Sequence, residues 1–382
     1  MRLTTKLPRV GTTIFTSMSQ LATERGAVNL GQGFPDFDGP AELHEALHRH
    51  TREGRNQYAP MTGVPALREA IARKAEALYG GSIDADAEVT VTSGATEALF
   101  AAIHAVVRPG DEVIVLDPCY DSYEPAIELA GARTVHLPLV APAFSVDWLR
   151  VADAFSPRTR MIVINSPHNP TGATLSPHDL DTLAGLLRDT DVCVLSDEVY
   201  EHIIFDGREH ASVLRHPELA ARSFAVSSFG KTYHITGWKI GYCIAPRNLS
   251  AEFRKVHQYL TFCTFNAAQW ALADYLKRAP QHYRELPAFY QAKRDYFRTA
   301  IAGSRFRLLD VQGAYFQLAE YDGISEEDDQ AFCIRLIEKH GVAAIPTSVF
   351  YESPPAGQRL IRFCFAKTEA TLAAAAERLC AI

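Results

Sequence analysis

The sequence predicts an α/β protein with a mostly parallel sheet covered by helices on both faces. From position 88 onward, short runs rich in Val and Ile recur, and helical segments separate several of them. Runs that are apolar at successive positions are typical of strands buried on both faces. The 382 residues are 47% hydrophobic and 22% charged, which suits a large core shared by two domains.

The N-terminal part is predicted to be mainly helical. A short amphipathic segment at 14–22 precedes the motif 29–37. The Gly-x-Gly of this motif is followed by Phe-Pro, so it is not a dinucleotide-binding fingerprint. Helices are predicted over 41–52 and 65–79, with a polar loop at 57–63 between them.

The alternating region supplies the predicted sheet. Its strands are expected at 89–92, 113–116, 134–137, 161–164, 192–195, 224–226 and 240–245. Helices are expected at 98–107, 124–129 and 251–277. A long helix over 283–302 is predicted to connect this region to a smaller α+β unit, with segments at 306–309, 315–318, 331–340, 342–345 and 360–365.

Composition excludes several classes of protein. The net charge of -7 and the pI of about 6.1 argue against nucleic-acid binding. No apolar stretch reaches the roughly 18 residues of a membrane span, and the N-terminus lacks the apolar segment of a signal peptide. The 7 cysteines include no Cys-x-x-Cys pair, so we expect a cytoplasmic protein without a metal site.

Polar residues follow several predicted strands, and parallel sheets place function at these strand ends. Residues 93–96, Ser-Gly-Ala-Thr, open a helix after the first strand and could form a phosphate cradle or an ordinary N-cap. Tyr120 could stack on a planar ligand or be a core residue. Asn169 lies between two prolines and could donate a hydrogen bond to a ligand or belong to a plain turn.

The last two strand ends carry charged residues. Asp197 directly follows an apolar run, so its carboxylate is expected to be partly desolvated and to need a positive partner. Ser228, Lys231 and Lys239 lie between two apolar strands, on what is predicted to be a polar turn. Two nearby cations are unfavourable unless an anion lies between them. A neighbouring cation also lowers the pKa of a lysine from about 10.4 and so makes it available as a free amine.

Together these positions match the needs of pyridoxal phosphate. Its phosphate needs a helix terminus, hydroxyls and a cation, and its ring needs a stacking partner. A carboxylate must keep its pyridine nitrogen protonated, and a lysine must bind its aldehyde. The sequence therefore predicts this cofactor.

The chain resembles the fold-type I, class I/II aminotransferases over positions 29–365. The resemblance rests on Ser-x-x-Lys followed by Thr-Gly-Trp-Lys-x-Gly, on Asn-Pro-Thr-Gly, and on Ser-Asp-Glu-Val-Tyr. The Gly-Gln-Gly-Phe-Pro-Asp-Phe and Ile-Arg-Phe-Cys-Phe stretches are similar to the methionine aminotransferase and kynurenine aminotransferase–glutamine transaminase K branch. The resemblance implies a seven-stranded sheet. It also implies an N-terminal arm at 1–40, a cofactor-binding domain at 41–285 and a small domain at 286–382.

The resemblance also implies a role for each matching residue. The catalytic residues would be Lys231, which forms the Schiff base and moves a proton, Asp197, which pairs with the pyridine nitrogen, and Tyr200. The cofactor would contact Gly94, Ala95, Thr96, Tyr120, Asn169, Asp197, Tyr200, Ser228, Lys231 and Lys239. Tyr58 would reach across a homodimer to the partner's phosphate. The substrate would contact Arg362, Asn169, Gly33, Phe34 and Phe15, and Arg362 would bind its α-carboxylate as a fork.

The resemblance further implies a substrate class. We find no counterpart of the second arginine that dicarboxylate-specific members use. The side-chain pocket is expected to be apolar and aromatic, lined by Phe15, Phe34, Tyr58 and Tyr120. Methionine is the favoured amino donor, with aromatic residues, Leu, Gln or kynurenine as further candidates and a 2-oxo acid as acceptor. A ping-pong mechanism and a homodimer with shared active sites are expected.

Two other kinds of protein can bind the same cofactor. A β-lyase acting on cysteine S-conjugates or cystathionine would use Lys231 and Asp197 in the same way. A regulator that senses pyridoxal phosphate would carry a DNA-binding segment before this domain. Only about 28 residues precede the motif at 29–37, and they contain no basic helix pair, so we do not expect a regulator.

Overall fold

The structure is a computed structural model that describes residues 4–382. The strands, in chain order, are β1 Val28–Asn29, β2 Val89–Thr92, β3 Glu112–Asp117, β4 Arg133–Pro138, β5 Thr159–Asn165, β6 Cys193–Asp197, β7 Ser223–Ser228, β8 Gly241–Ile244, β9 Arg307–Leu308, β10 Phe316–Glu320, β11 Val342–Ala343, β12 Ile345–Pro346 and β13 Leu360–Cys364. The helices are α1 Ile14–Arg25, α2 Ala41–Arg52, α3 Pro65–Tyr79, α4 Gly94–Val106, α5 Tyr123–Leu129, α6 Trp148–Ala154, α7 Pro177–Leu187, α8 Pro217–Ala220, α9 Phe229–Thr232, α10 Arg247–Leu260, α11 Asn266–Arg278, α12 Gln281–Ala300, α13 Asp329–His340 and α14 Glu369–Cys380. Short 3-10 turns occur at Val213–Arg215, Thr236–Trp238 and Ser348–Phe350.

The large sheet has seven strands within residues 4–382, in the order β2-β8-β7-β6-β5-β3-β4. The pairs from β4 to β7 are parallel, whereas β8 runs antiparallel to both β7 and β2. Strands β2, β3, β7 and β8 are buried at every position, which agrees with the prediction that helices cover both faces of the sheet. The prediction of a mostly parallel α/β sheet is therefore confirmed.

Register in this sheet brings polar residues to one edge. Asn165 at the end of β5 pairs with Asp197 at the end of β6, and Asp197 pairs with Val226 of β7. At the end of β7, Ser228 pairs with Gly241 of β8. The strand ends that carry the predicted functional residues are therefore adjacent.

A second unit combines both ends of the chain. Its four-stranded sheet has the order β12-β13-β10-β9 within the described residues, and β1 pairs in parallel with β11 through Val28 and Val342. One hydrophobic cluster joins the N-terminal helix α1, through Met18 and Ala22, to C-terminal residues such as Phe363 and Leu372. The N-terminal segment is thereby packed beside β13, where Arg362 lies.

Most of the predicted helices and strands are present, and their observed boundaries differ from the predicted ones by one to a few residues. The prediction of a single helix over 251–277 is wrong. Two helices, α10 and α11, are separated by a short non-helical segment in which Phe262 has a φ of +67°. The polar turn predicted after β7 instead contains the one-turn helix α9 and a 3-10 turn. The segment predicted at 342–345 contains β11 and the first residue of β12, and these two short strands belong to different sheets. None of the helices in residues 4–382 combines the length and apolar character that crossing a membrane requires.

Candidate active site

A cavity of about 650 Å³ opens at the carboxyl ends of the large sheet. Residues that follow β2, β3, β5, β6 and β7 line one side, and residues from the N-terminal segment, β10 and β13 line the other. The volume lies in the range of pockets that hold small molecules. The cavity is therefore the place where the predicted residues can act together.

One end of the cavity is built to hold an anion. Helix α4 begins at Gly94, so the first amides of the helix, at Gly94, Ala95 and Thr96, have no partner within the helix. Gly94 has a φ of +75°, and a Cβ there would lie 3.1 Å from Lys239 Nζ. The Lys239 ammonium thus lies against the start of α4, and Ser228 lines the same cavity.

A carboxylate lies deep in the cavity. Asp197 is 4% exposed, and its side-chain oxygens accept hydrogen bonds from the Tyr123 hydroxyl at 2.7 Å and the Val199 amide at 3.3 Å. Burial raises the pKa of Asp197 to about 6, although both hydrogen bonds act in the opposite direction. Neither of these donors is a cation, so the positive partner predicted for Asp197 is not supplied by its hydrogen bonds within residues 4–382.

Two oxygen atoms hold the amine of Lys231 in the cavity. Its Nζ donates hydrogen bonds to the Tyr315 hydroxyl oxygen at 2.9 Å and to the Gly33 carbonyl at 3.1 Å. The pKa of Lys231 is lowered to about 8, mainly by burial and also by the nearby charges of Lys239 and Arg362, while Cys364 and Asp197 act in the opposite direction. The lowered pKa makes the free amine far more accessible near neutral pH than that of an ordinary lysine, so it can act as a nucleophile or base.

Arg362 supplies a buried cation on the substrate side. It is 1% exposed and donates to Asn169 Oδ1 at 2.7 Å and to the Gly31 carbonyl at 3.1 Å. Its guanidinium carbon lies 4.1 Å from the ring centre of Phe316 and 5.3 Å from that of Phe15. Its Nε has no hydrogen-bond partner in the described part of the chain, which leaves the cation ready for an anionic ligand.

Comparison with known proteins identifies the family. A family model for aminotransferase class I and II matches residues 25–379. The chain belongs to the class I and II aminotransferases. It is an enzyme of the transferase class, and members of this family use pyridoxal phosphate.

Individual relatives agree with this assignment. The aminotransferase is 57% identical to methionine aminotransferase of Escherichia coli strain K12, over 98% of this chain and 97% of the relative. It is 35% identical to kynurenine--oxoglutarate transaminase 1 of Mus musculus, over 95% and 93%. The solved structure of YbdL from Escherichia coli, described as having a methionine aminotransferase function, superposes with a TM-score of 0.98 at 55% identity, covering 100% of both chains. The resemblance inferred from the motifs is thereby confirmed.

The residues of this aminotransferase fit pyridoxal phosphate. The start of α4 and Lys239 offer an anion site, and a Cβ at position 94 would fill part of it. Asp197 is a buried carboxylate whose hydrogen-bond donors are both uncharged. Lys231 is an amine of lowered pKa in the same cavity. The anion site, the carboxylate and the amine therefore match the phosphate, the protonated ring nitrogen and the aldehyde of the cofactor, in that order.

The structure brings nearly all predicted site residues together. Those that line the cavity are Phe15, Gly33, Phe34, Gly94, Ala95, Thr96, Tyr120, Asn169, Asp197, Tyr200, Ser228, Lys231, Lys239 and Arg362. Tyr58 does not line the cavity of its own chain. It is 83% exposed and packs against Phe262, with ring centres 5.4 Å apart. Its predicted contact concerns a second subunit and stays a prediction.

Three residues with direct contacts in the site were missed. Tyr123 donates to Asp197, Tyr315 contacts Lys231, and Phe316 stacks on Arg362. The spacing from Tyr120 to Tyr123 on one short segment could have pointed to Tyr123. No signal in the sequence identified Tyr315 or Phe316, because both were assigned to an apolar strand.

The cavity wall is also more polar than predicted. Helix α1 contributes polar side chains to the lining, at Thr16, Ser19, Gln20 and Thr23. The expectation of an apolar, aromatic side-chain pocket therefore holds only for the part formed by Phe15, Phe34 and Tyr120. The amphipathic segment predicted at 14–22 packs its apolar face on the core and turns its polar face to the cavity.

A group of potential metal ligands lies near the end of β3. Side-chain atoms of Asp117, Cys119 and His136 lie within 4.8 Å of one another. His136 Nδ1 and Asp117 Oδ1 are 2.9 Å apart and form an ion pair when the imidazole is protonated. The Asp117 hydrogen bond raises the pKa of His136, although burial acts against it. These contacts account for the group without an ion, and the expectation that the chain needs no metal stays a prediction.

Proposed function

We propose that this aminotransferase binds pyridoxal phosphate through Lys231 and transfers the amino group of methionine to a 2-oxo acid. The observation that carries the proposal is that an anion cradle, a buried carboxylate and an amine of lowered pKa line one cavity. The methionine aminotransferase of Escherichia coli, at 57% identity over nearly the full chain, supports methionine as the donor. Aromatic residues, Leu, Gln and kynurenine are further candidate donors, since apolar contacts separate such side chains by only about 1–3 kcal/mol.

The cofactor contacts follow from the cavity. Gly94, Ala95, Thr96, Ser228 and Lys239 would bind the phosphate, and Tyr120 would pack on the ring. Asp197 would hold the ring nitrogen in its protonated form, while Tyr200 and Asn169 would hydrogen-bond the ring hydroxyl. Bound there, pyridoxal phosphate supplies an aldehyde that joins a primary amine and a cationic ring that withdraws electrons from the amino acid's α-carbon.

The substrate contacts divide between binding and proton transfer. Arg362 would bind the α-carboxylate as a two-pronged donor, with Asn169 and the backbone of Gly33 beside it. Phe15 and Phe34 would contact the side chain. Lys231 Nζ, when free, would accept the proton of the α-carbon and return it later in the reaction. The closed, apolar surroundings of Arg362 would strengthen its interaction with the carboxylate.

We further propose a homodimer with shared active sites. Tyr58 is 83% exposed and packs against Phe262, and Tyr259 and Phe265 are also exposed; exposed aromatic side chains favour an interface. In the dimer, Tyr58 would reach the phosphate in the partner subunit. We propose a cytoplasmic location. We also propose the division of the chain into an arm at 1–40, a cofactor-binding domain at 41–285 and a small domain at 286–382.

The test uses the purified protein loaded with pyridoxal phosphate. Methionine added alone should yield its 2-oxo acid in an amount equal to the sites, and a 2-oxo acid acceptor should then allow continued turnover. Both steps should stop in Lys231→Ala. Release of ammonia and pyruvate from a cysteine S-conjugate without any acceptor, with no amino transfer from methionine, would instead establish the β-lyase.

A further inference from the structure

The hydroxyl of Tyr315 is buried against the amine of Lys231. The Tyr315 hydroxyl donates to the Gly33 carbonyl at 2.6 Å, and its oxygen lies 2.9 Å from Lys231 Nζ. Tyr315 is 0% exposed, and burial keeps the pKa of its phenol well above 10. The phenol therefore stays neutral, its one proton is committed to Gly33, and its oxygen can only accept a hydrogen bond from the lysine.

The Gly33 carbonyl that completes this contact belongs to a rigid loop. Lys367 Nζ donates to the Phe34 carbonyl at 2.7 Å and the Gln32 carbonyl at 3.4 Å, and Arg362 donates to the Gly31 carbonyl. Cations thus contact the carbonyls of four successive residues, 31–34. Since the loop is fixed from both sides, the Gly33 oxygen is held at a constant place beside Lys231.

The two acceptors lie on the same side of the Lys231 nitrogen, because their oxygens are only 2.6 Å apart. An N–H group directed between them is shared by both oxygens, which leaves the other side of a neutral amine free of these contacts. Lys231 lines the cavity, so the free side is available to a ligand there. Holding the nitrogen in this place reduces the need to position the amine before it reacts.

We propose that Tyr315 is a positioning residue that anchors one side of the free amine of Lys231 and leaves its other side open to the cavity. This inference rests on the proposed function, because it concerns the lysine that joins the aldehyde of pyridoxal phosphate. In that reaction the lone pair forms the new carbon–nitrogen bond, and the carbonyl oxygen leaves as water with the two nitrogen protons. Tyr315 is not among the residues assigned above to the phosphate or to the substrate carboxylate.

The test measures how fast the cofactor-free, full-length protein joins pyridoxal phosphate, followed by visible absorbance across pH. The variant is Tyr315→Phe, which removes only the hydroxyl. The matched control is Tyr290→Phe, because Tyr290 packs 5.7 Å from Tyr315 between ring centres and its buried hydroxyl has no hydrogen-bond partner in the described residues. Pyridoxine phosphate, which has no aldehyde, reports binding alone, and thermal unfolding reports folding.

In Tyr315→Phe the rate at which pyridoxal phosphate joins the protein, measured at the high-pH plateau, should fall roughly tenfold. A factor of this size corresponds to the loss of one oriented hydrogen bond. The pH midpoint should move below that of the unmodified protein, because the ammonium loses one of its two acceptors. The other groups that face the amine stay in place, namely Asp197, Tyr200, Lys239, Arg362 and Cys364. Pyridoxine phosphate binding should be unchanged, and Tyr290→Phe should match the unmodified protein in every measurement.

Three results would overturn the inference while leaving the proposed function intact. The first is an unchanged plateau rate in Tyr315→Phe. The second is an equal loss in Tyr290→Phe. The third is a pH midpoint that rises toward that of an ordinary lysine together with weaker pyridoxine phosphate binding, since a loosened pocket that admits water has this effect. If the unmodified protein fails to join pyridoxal phosphate at all, the proposed function itself is wrong.

Discussion

Arg362 and Asn169 are joined by a 2.7 Å hydrogen bond inside the cavity, although 193 positions separate them in the chain. Strand β13 of the smaller unit carries the arginine, and the loop after β5 of the large sheet carries the asparagine. The contact therefore connects the two units across the cavity. Because Arg362 is almost completely buried and its Nε has no partner, binding an anion there should not require the side chain to move.

Replacing Arg362 by lysine should weaken catalysis on methionine. A lysine cannot form the two parallel hydrogen bonds of a guanidinium, so the loss should be about 10- to 100-fold in kcat/KM, mainly through KM. Steady-state kinetics with methionine checks this result. The control is Arg188→Lys, at an exposed arginine that pairs with Glu218 at 3.5 Å. Equal KM values for Arg362→Lys and the unmodified protein would exclude Arg362 as the carboxylate-binding residue.

Replacing Gly94 by alanine should weaken the anion cradle. The substitution places a Cβ 3.1 Å from Lys239 Nζ at a φ of +75°, which side chains rarely adopt. Relief of this strain, about 1–2 kcal/mol, and of the close contact should shift the backbone and Lys239 away from their places in the cradle, so pyridoxine phosphate binding measured by calorimetry should weaken roughly tenfold or more. The control is Gly185→Ala in helix α7, where a Cβ meets no atom within 4 Å. Unchanged affinity in Gly94→Ala would show that the phosphate lies elsewhere.

The charge of Asp197 should affect stability in opposite directions without and with the cofactor. Folding raises its pKa to about 6, so the folded state favours the protonated form. Ionisation of Asp197 therefore lowers the free energy of unfolding. The loss is absent below about pH 4 and complete above about pH 6, where it amounts to about 3 kcal/mol. Cofactor-free Asp197→Asn should therefore be more stable than the unmodified protein at pH 7 to 8, and the advantage should vanish below about pH 4.

With the cofactor bound, the same substitution should be harmful, because the ring nitrogen loses its anionic partner. Urea unfolding with and without pyridoxal phosphate measures both effects. Asp189→Asn, at an exposed position, is the control. A cofactor-free Asp197→Asn protein that is less stable than the unmodified protein at pH 8 would contradict this prediction.

A buried ion pair between Lys74 and Glu201 should stabilise the folded protein. Lys74 Nζ lies 2.8 Å from Glu201 Oε1 and 2.7 Å from the Tyr242 hydroxyl. Burial alone would raise the pKa of Glu201, but Lys74 and His202 hold it well below its usual value. Lys74→Met leaves an unpaired buried carboxylate and should cost about 3–5 kcal/mol of unfolding free energy in urea.

The double variant Lys74→Met/Glu201→Gln should recover most of this loss, because no unpaired charge remains. The control is Lys255→Met, at an exposed lysine that pairs with Glu252. If the double variant is as unstable as Lys74→Met, the loss comes from packing and not from the carboxylate.

The sequence predicted the large sheet well, because strands buried on both faces have a continuous apolar pattern that needs no partner to be recognised. It also located Asp197 and Lys231, since their roles require specific residue types at strand ends. Tyr315 and Phe316 could not be found in this way. Their position beside Lys231 and Arg362 depends on how β10 pairs with β13, which places Phe316 opposite Cys364.

The break between α10 and α11 was missed for a related reason. The segment is apolar and has the helical period, and the left-handed conformation of Phe262 is not a property of phenylalanine. The polar lining from α1 was also missed, because the sequence shows that a helix is amphipathic but not that its polar face borders a cavity. Tertiary contacts decide both features.

The most direct test of the proposed function is to identify the residue that pyridoxal phosphate joins. The loaded protein is treated with borohydride, which makes the bond permanent, and is then digested and examined by mass spectrometry. The modified residue should be Lys231, in an amount equal to the sites, and adding methionine before the reductant should remove the label. A label on another lysine such as Lys239, or no label at all, would contradict the assignment of Lys231 as the catalytic lysine.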